Sequence, residues 1–227
     1  MPTAETPAEE TEAKETPPAP EEAEEEVAVE EPEPYVSPID FESLQAMNPD
    51  IYAWLEIKGT DITYPLLQSA EDDSFYLNHD SEKNWSADGS LFTESRYNGR
   101  DMADPVTLVY GHHMRSGAMF GHLERDYTDQ DFLEEHAEVT VYTPEAELHY
   151  GVFAAVPWTG EHLLYYNDFS DEAAFERFFA SVLRVRDLRA RFKEENAPAV
   201  GDRVLILSTC LTADNKQRFL VMAKLLP

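Results

Sequence analysis

A mainly β domain with helices, set behind a long acidic head, is the fold class this sequence predicts. Three observations carry that expectation. A period of two opens at Leu55, and further short apolar runs crowd the second half of the chain. Between two of them lies a stretch with the 3, 4, 7 spacing of an amphipathic helix. The first 34 residues hold almost nothing that could be buried. Period two sends alternate side chains to opposite faces of a strand, whereas the helical period gathers them into one stripe.

The head comes first. Residues 1–34 contain 13 Glu against one Lys, and they supply −12 of a formal charge of −29 spread over 227 residues. After Met1, only Val27 and Val29 are large and apolar there. Ordering a residue costs on the order of 1–2 kcal/mol, which such a composition cannot offset by burial. Residues 1–36 are therefore expected to be a disordered, self-repelling tether, and residues 37–227 the folded catalytic-sized domain. A polyproline-like spacer at about 3.1 Å per residue would give the tether a reach on the order of 100 Å. No stretch approaches the roughly 20 consecutive apolar residues of a membrane span, and Met1-Pro2-Thr3-Ala4-Glu5 lacks a basic-then-apolar signal. As written the chain reads as soluble, with any membrane attachment left to an anchor outside it. The acidic surface repels phosphate backbones and anionic headgroups, which excludes nucleic acid as a partner.

Order is expected to begin at Ser37-Pro38-Ile39-Asp40, with Ser37 as helix cap and Pro38 at the first helical position. Asn48-Pro49-Asp50 repeats that punctuation and predicts a second helical turn at Ile51–Trp54. From Leu55 the period becomes two, and Leu55 and Ile57, a Lys58-Gly59-Thr60 turn, then Ile62, Tyr64 and Leu66 predict a hairpin. Further strands are expected at 89–93, 106–110, 138–143, 148–156, 203–209 and 219–225. Short helices are expected at 118–125 and 129–136. One long helix, capped by Ser170, should carry Phe175, Phe178, Phe179, Val182, Val185, Leu188 and Phe192 as a core stripe and end among Arg189, Arg191 and Lys193.

The search for chemistry begins with exclusions. The sequence has no Walker A loop, dinucleotide fingerprint, His-Glu-x-x-His or Gly-x-Ser-x-Gly elbow. The seven histidines form no metal-ligand spacing, and adjacent His112 and His113 point to opposite faces of an extended segment. No cofactor or metal is expected. The single cysteine, Cys210, rules out an intrachain disulfide. It ends the apolar run Val204-Leu205-Ile206-Leu207-Ser208-Thr209, where a strand delivers its thiol to the rim of a sheet. Arg218 opens the next apolar run, so two neighbouring strands would bring guanidinium and thiol to the same end. Thr107-Leu108-Val109-Tyr110-Gly111-His112 is a third strand, ending in an imidazole able to accept and donate protons near neutrality. Each residue has a plainer reading by itself: a buried thiol, a solvated Arg, a structural His.

Together the three resemble the active site of a class B sortase, a cysteine transpeptidase family. Leu207-Ser208-Thr209-Cys210 is similar to the family's Cys motif, Arg218 to its Arg and Tyr110-Gly111-His112 to its His, in the family's order. Asn48-Pro49-Asp50, Tyr64-Pro65-Leu66-Leu67-Gln68, Gly89-Ser90-Leu91-Phe92 and Met119-Phe120 extend the resemblance over about residues 38–226. It implies a sortase-type β-barrel with N-terminal helices and one long helix before the Cys-bearing strand. It implies Cys210 as nucleophile, His112 as acid and base, Arg218 as oxyanion donor, and Ser208 and Thr209 as substrate contacts. The implied reaction cleaves a C-terminal sorting motif in secreted proteins through a thioacyl enzyme. Transfer to an amine of a peptidoglycan precursor, or to a pilin lysine, would follow at the outer face of the cell membrane. A hydrolytic cysteine peptidase and a catalytically silent peptide-binding barrel are the competing expectations.

Overall fold

Strand pairing organises the chain. The structure is a computed structural model and describes residues 35–212, 214 and 216–227. The expected tether at 1–36 lies outside the described residues except for Tyr35 and Val36, both exposed. Among the described residues nine strands form, β1 (Ile51–Glu56), β2 (Thr63–Leu67), β3 (Leu91–Phe92), β4 (Val106–Tyr110), β5 (Glu138–Tyr142), β6 (Glu147–Trp158), β7 (Arg191–Phe192), β8 (Val204–Cys210) and β9 (Arg218–Leu225). Their order is β5-β1-β2-β3-β4-β8-β9-β6-β7, and a further antiparallel pairing of β5 with β6 closes eight of them into a barrel. Closure leaves no open edge in the ring, and β7 is attached outside it to β6. Five α-helices accompany the strands among the described residues: α1 (Phe41–Met47), α2 (Leu123–Tyr127), α3 (Gln130–Glu135), α4 (Leu163–Tyr166) and α5 (Glu172–Val182).

The core has two layers separated by the barrel wall. Leu205 and Leu207 of β8 and Phe219, Val221 and Ala223 of β9 point inward, where they meet Leu55, Leu66, Val109 and Val141. Their alternates, Val204, Ile206, Leu220 and Met222, point outward and are covered by Phe175, Phe178, Phe179 and Val182 of α5. Burying each side chain of this size contributes roughly 1.5–3 kcal/mol relative to exposure. A strand buried on both faces reads as an unbroken apolar run, which is why β8 was so plain in the sequence. β8 pairs parallel with β4 and antiparallel with β9, so the ends of these three strands define one rim.

Several expectations need correction. The cap of α1 is Asp40, whose carboxylate accepts from Ser43 N at 3.0 Å, while Ser37 accepts only from Ile39 N. Ile51–Trp54 is not a second helical turn but most of β1. The long helix is capped by Asp171, not Ser170, and stops at Val182. Beyond it Arg184 N and Val185 N bond back three residues, and the Asp187 carboxylate takes Arg189 N at 2.9 Å, a local bond that competes with helix. Val185 and Phe192 still pack on the outer core from this irregular connection, whereas Leu188 is 95% exposed. Arg189, Arg191 and Lys193 therefore do not end the helix.

Candidate active site

Cys210 is the last residue of β8 and Arg218 the first of β9, and the two are register partners. They continue the outward-facing set of Ser208, Leu220 and Met222, so thiol and guanidinium share the face of the wall opposite the barrel interior. Both are half-buried. Residues directly opposite on antiparallel strands have Cα atoms about 4.5–5.5 Å apart, close enough for the two side chains to meet. Arg218 also bonds the Gln217 carbonyl through Nη1 at 3.2 Å.

His112 reaches the same rim from β4. Gly111 lies between that strand and His112, and a Cβ there would come within 2.5 Å of both Leu91 and Phe120, so only glycine lets the chain pass. Gly111 N donates to Ser208 O at 3.1 Å, which fastens the end of β4 to β8. The His112 ring bonds the Leu77 carbonyl through Nε2 at 2.6 Å. A carbonyl can only accept, so Nε2 carries the proton and Nδ1 is left for proton exchange. No hydrogen bond joins His112 to Cys210 among the described residues; contacts of this kind commonly tighten once substrate is bound.

Two small cavities of about 80 Å³ flank Arg218. One is lined by Leu77, Phe92, His112 and Cys210, the other by the 159–163 segment with Leu108 and Leu220. Tyr110, Ser208 and Arg218 border both. Ser208 thus shares the face of Cys210 and the cavity that Cys210 lines. Thr209 does not share that face: its side chain turns with Phe219 into the barrel, is 2% exposed, and has an Oγ1 without a partner among the described residues. Thr209 nonetheless lines the cavity of Cys210, so with its side chain turned inward it is the backbone that faces the site.

Residues 55–226 match the family model of the sortase domain. The chain belongs to the sortase family. It is similar to the Sortase B of Listeria monocytogenes and to that of Staphylococcus aureus, each 31% identical over 188 residues, covering 82% of this chain and 74% of the relative. Among solved structures it resembles a Staphylococcus aureus sortase B–substrate complex, with a TM-score of 0.70, 30% identity and coverage of 82% and 84% of the two chains. It also resembles a Streptococcus pyogenes class B sortase involved in pilus biogenesis, with a TM-score of 0.69, 28% identity and coverage of 83% and 98%. The protein is a class B sortase with the closed barrel of that class, and a cysteine transpeptidase. Sortases act at the surface of Gram-positive bacteria; among the described residues here no helix is long and apolar enough to cross a membrane.

Two polar clusters beside the sortase site escaped the sequence. Glu94 accepts from the Tyr110 hydroxyl at 3.2 Å and from His162 Nε2 at 2.7 Å. Burial raises the Glu94 carboxyl above its ordinary pKa despite the His162 ring beside it. Burial and the Glu94 charge push the Tyr110 hydroxyl well above the usual tyrosine range. His162 also caps α4, accepting from Tyr165 N through Nδ1 at 3.1 Å, which fixes its proton on Nε2. The second cluster joins Glu124, Thr212 and His113. Neither cluster has a sequence signal, because its members come from segments far apart in the chain.

Proposed function

We propose that Cys210 is the nucleophile of this transpeptidase, His112 its acid and base, and Arg218 the donor that stabilises the oxyanion. The observation carrying this reading is the register pairing of Cys210 with Arg218 on one face of the wall, beside a cavity that His112 also borders. The Cys210 thiolate attacks a backbone carbonyl of the sorting motif and the carbonyl oxygen becomes an oxyanion facing the guanidinium. The C–N bond then breaks, the departing amine takes a proton from His112, and a thioester remains on Cys210. An incoming amine attacks the thioester, gives a proton to His112 and releases the thiolate. A fixed donor aimed at the developing charge contributes about 2.7–4 kcal/mol in such chemistry. Ser208 is placed in this reading as a substrate contact through the cavities it borders.

The substrates in this reading are secreted proteins with a C-terminal sorting motif, met at the outer face of the cell membrane. The acceptor is an amine of a peptidoglycan precursor or a pilin lysine. The staphylococcal relative's substrate complex supports the first part and the streptococcal relative's role in pilus biogenesis the second alternative. Mass spectrometry of Cys210 after exposure to a library of sorting-motif peptides tests it. An acyl adduct on Cys210 that a supplied amine resolves into a ligated product is expected; Cys210→Ala with undiminished transfer would overturn the assignment.

A further inference from the structure

We propose that Glu124 is a positioning residue for the nucleophile, holding the turn after β8 against the chain that carries His112 by way of Thr212 and His113. The proposal rests on the assignment of Cys210 made above. Glu124 stands in the first turn of α2 with a side chain only 10% exposed. Its Oε2 takes two bonds from one residue, Thr212 N at 2.7 Å and Thr212 Oγ1 at 2.5 Å. Thr212 is two residues beyond Cys210. A hydroxyl has one proton, and the short charge-assisted contact commits it to the carboxylate. The remaining contact, His113 Nε2 at 3.2 Å, must therefore be accepted by Oγ1, which puts the His113 proton on Nε2. His113 Nδ1 is buried and has no partner among the described residues.

The polar chain thus runs from α2 through the β8–β9 turn to the residue adjoining His112. At its far end Arg189 Nη1 lies 3.7 Å from Glu124 Oε1, and Asp187 holds Arg189 at 3.0 Å through both Nε and Nη2. A carboxylate this buried persists only when paired and hydrogen-bonded, and here its partners are Thr212, just beyond Cys210, and Arg189, in the connection after α5. Cutting the chain should leave the barrel closed while letting Cys210 and His112 drift apart. A misplacement of about 1 Å at reacting groups costs on the order of 100-fold in rate.

The full chain offers a clean readout, because iodoacetamide can alkylate no thiol but Cys210. Thr212→Val deletes the hydroxyl and keeps the shape and the N–H, Thr212→Ser restores the hydroxyl, and Glu124→Gln removes the charge. We expect Thr212→Val and Glu124→Gln each to lower kcat at least about 10-fold on a sorting-motif peptide with KM within about threefold. The midpoint of the alkylation rate against pH should move in both, and Thr212→Ser should stay within about twofold of the parent. Folded Thr212→Val and Glu124→Gln proteins with the parent kcat and alkylation profile would overturn the proposal. So would equal losses in Thr212→Val and Thr212→Ser. Should Glu124→Gln fail to fold, Thr212→Val decides. Turnover retained by Cys210→Ala would instead sink the nucleophile assignment, whatever the other variants do.

Discussion

Replacing Thr209 by Val should raise the melting temperature and leave turnover unchanged. Thr209 faces the barrel interior beside its register partner Phe219, and its hydroxyl has no partner among the described residues. A buried hydroxyl left unpaired carries a penalty of about 1–3 kcal/mol. Val removes that hydroxyl while keeping the volume and the β-branching that suits a strand. Relaxation around the site returns part of the penalty, so a gain of about 1–2 kcal/mol is expected, or about 2–8 °C for a unit of this size. Scanning calorimetry of parent and variant at pH 7 measures it, alongside kcat/KM on the same peptide. A lower melting temperature would mean that the hydroxyl is bonded inside the barrel. A loss of activity beyond about threefold at unchanged stability would mean that it reaches substrate, and the inward orientation would be refuted.

Arg218→Lys keeps the charge but loses the planar fork, and should lower kcat/KM at least about 100-fold, near the 2.7 kcal/mol of one lost oxyanion donor. A Lys variant within a few-fold of the parent in a peptide-cleavage assay refutes the shaped-donor role. His112→Ala should lose about 100-fold or more, whereas His113→Ala, which removes a support and not the proton carrier, should lose on the order of 10-fold, as the other cuts of that chain do; equal losses in folded proteins would contradict the division. At Asp50, burial pushes the carboxyl up, but Lys83 at 2.8 Å, the Tyr76 hydroxyl at 2.8 Å and Arg100 at 3.4 Å outweigh it and hold its pKa below the ordinary value. A lowered folded pKa means stabilisation that is complete above about pH 4 and fades as pH falls through the folded value. Asp50→Asn should therefore be less stable than the parent near neutrality by about 1–3 kcal/mol in denaturant unfolding, and the gap should close in acid. A gap independent of pH would remove the carboxylate from the account.

Where the strand pattern was self-contained the sequence could be read. β4, β8 and β9 appear as apolar runs within a residue or so of their ends, and the polar residues at the ends that meet on one rim, His112, Cys210 and Arg218, stood out for that reason. β1 was misread because Ile51, Tyr52 and Ala53 are all buried, so no alternation marked it as a strand. The far half of the long helix failed differently. Its apolar spacing is real, since Val185 and Phe192 are packed, but packing from an irregular connection leaves the same trace as a helical stripe. The Glu124 cluster joins residues 88 and 99 positions apart, and such contacts are created by the barrel and have no local pattern. The inward turn of the Thr209 side chain follows from the same strand alternation that points Leu205 and Leu207 inward.

The place of β8 between β4 and β9 has a consequence for how the enzyme comes into being. Its parallel partner pairs Val106 with Val204 and Tyr110 with Ser208, and its antiparallel partner is the last strand of the chain. Pairings so distant in sequence form slowly, after the loops between them have been closed. A nascent chain that has made everything up to β7 already owns His112, yet it has neither Cys210 nor Arg218. Bringing Cys210 and Arg218 beside His112 requires the hairpin of β8 and β9 to take its place between β4 and β6. A barrel in which that hairpin has not docked holds the imidazole apart from the thiol, so their meeting depends on pairing between distant parts of the chain.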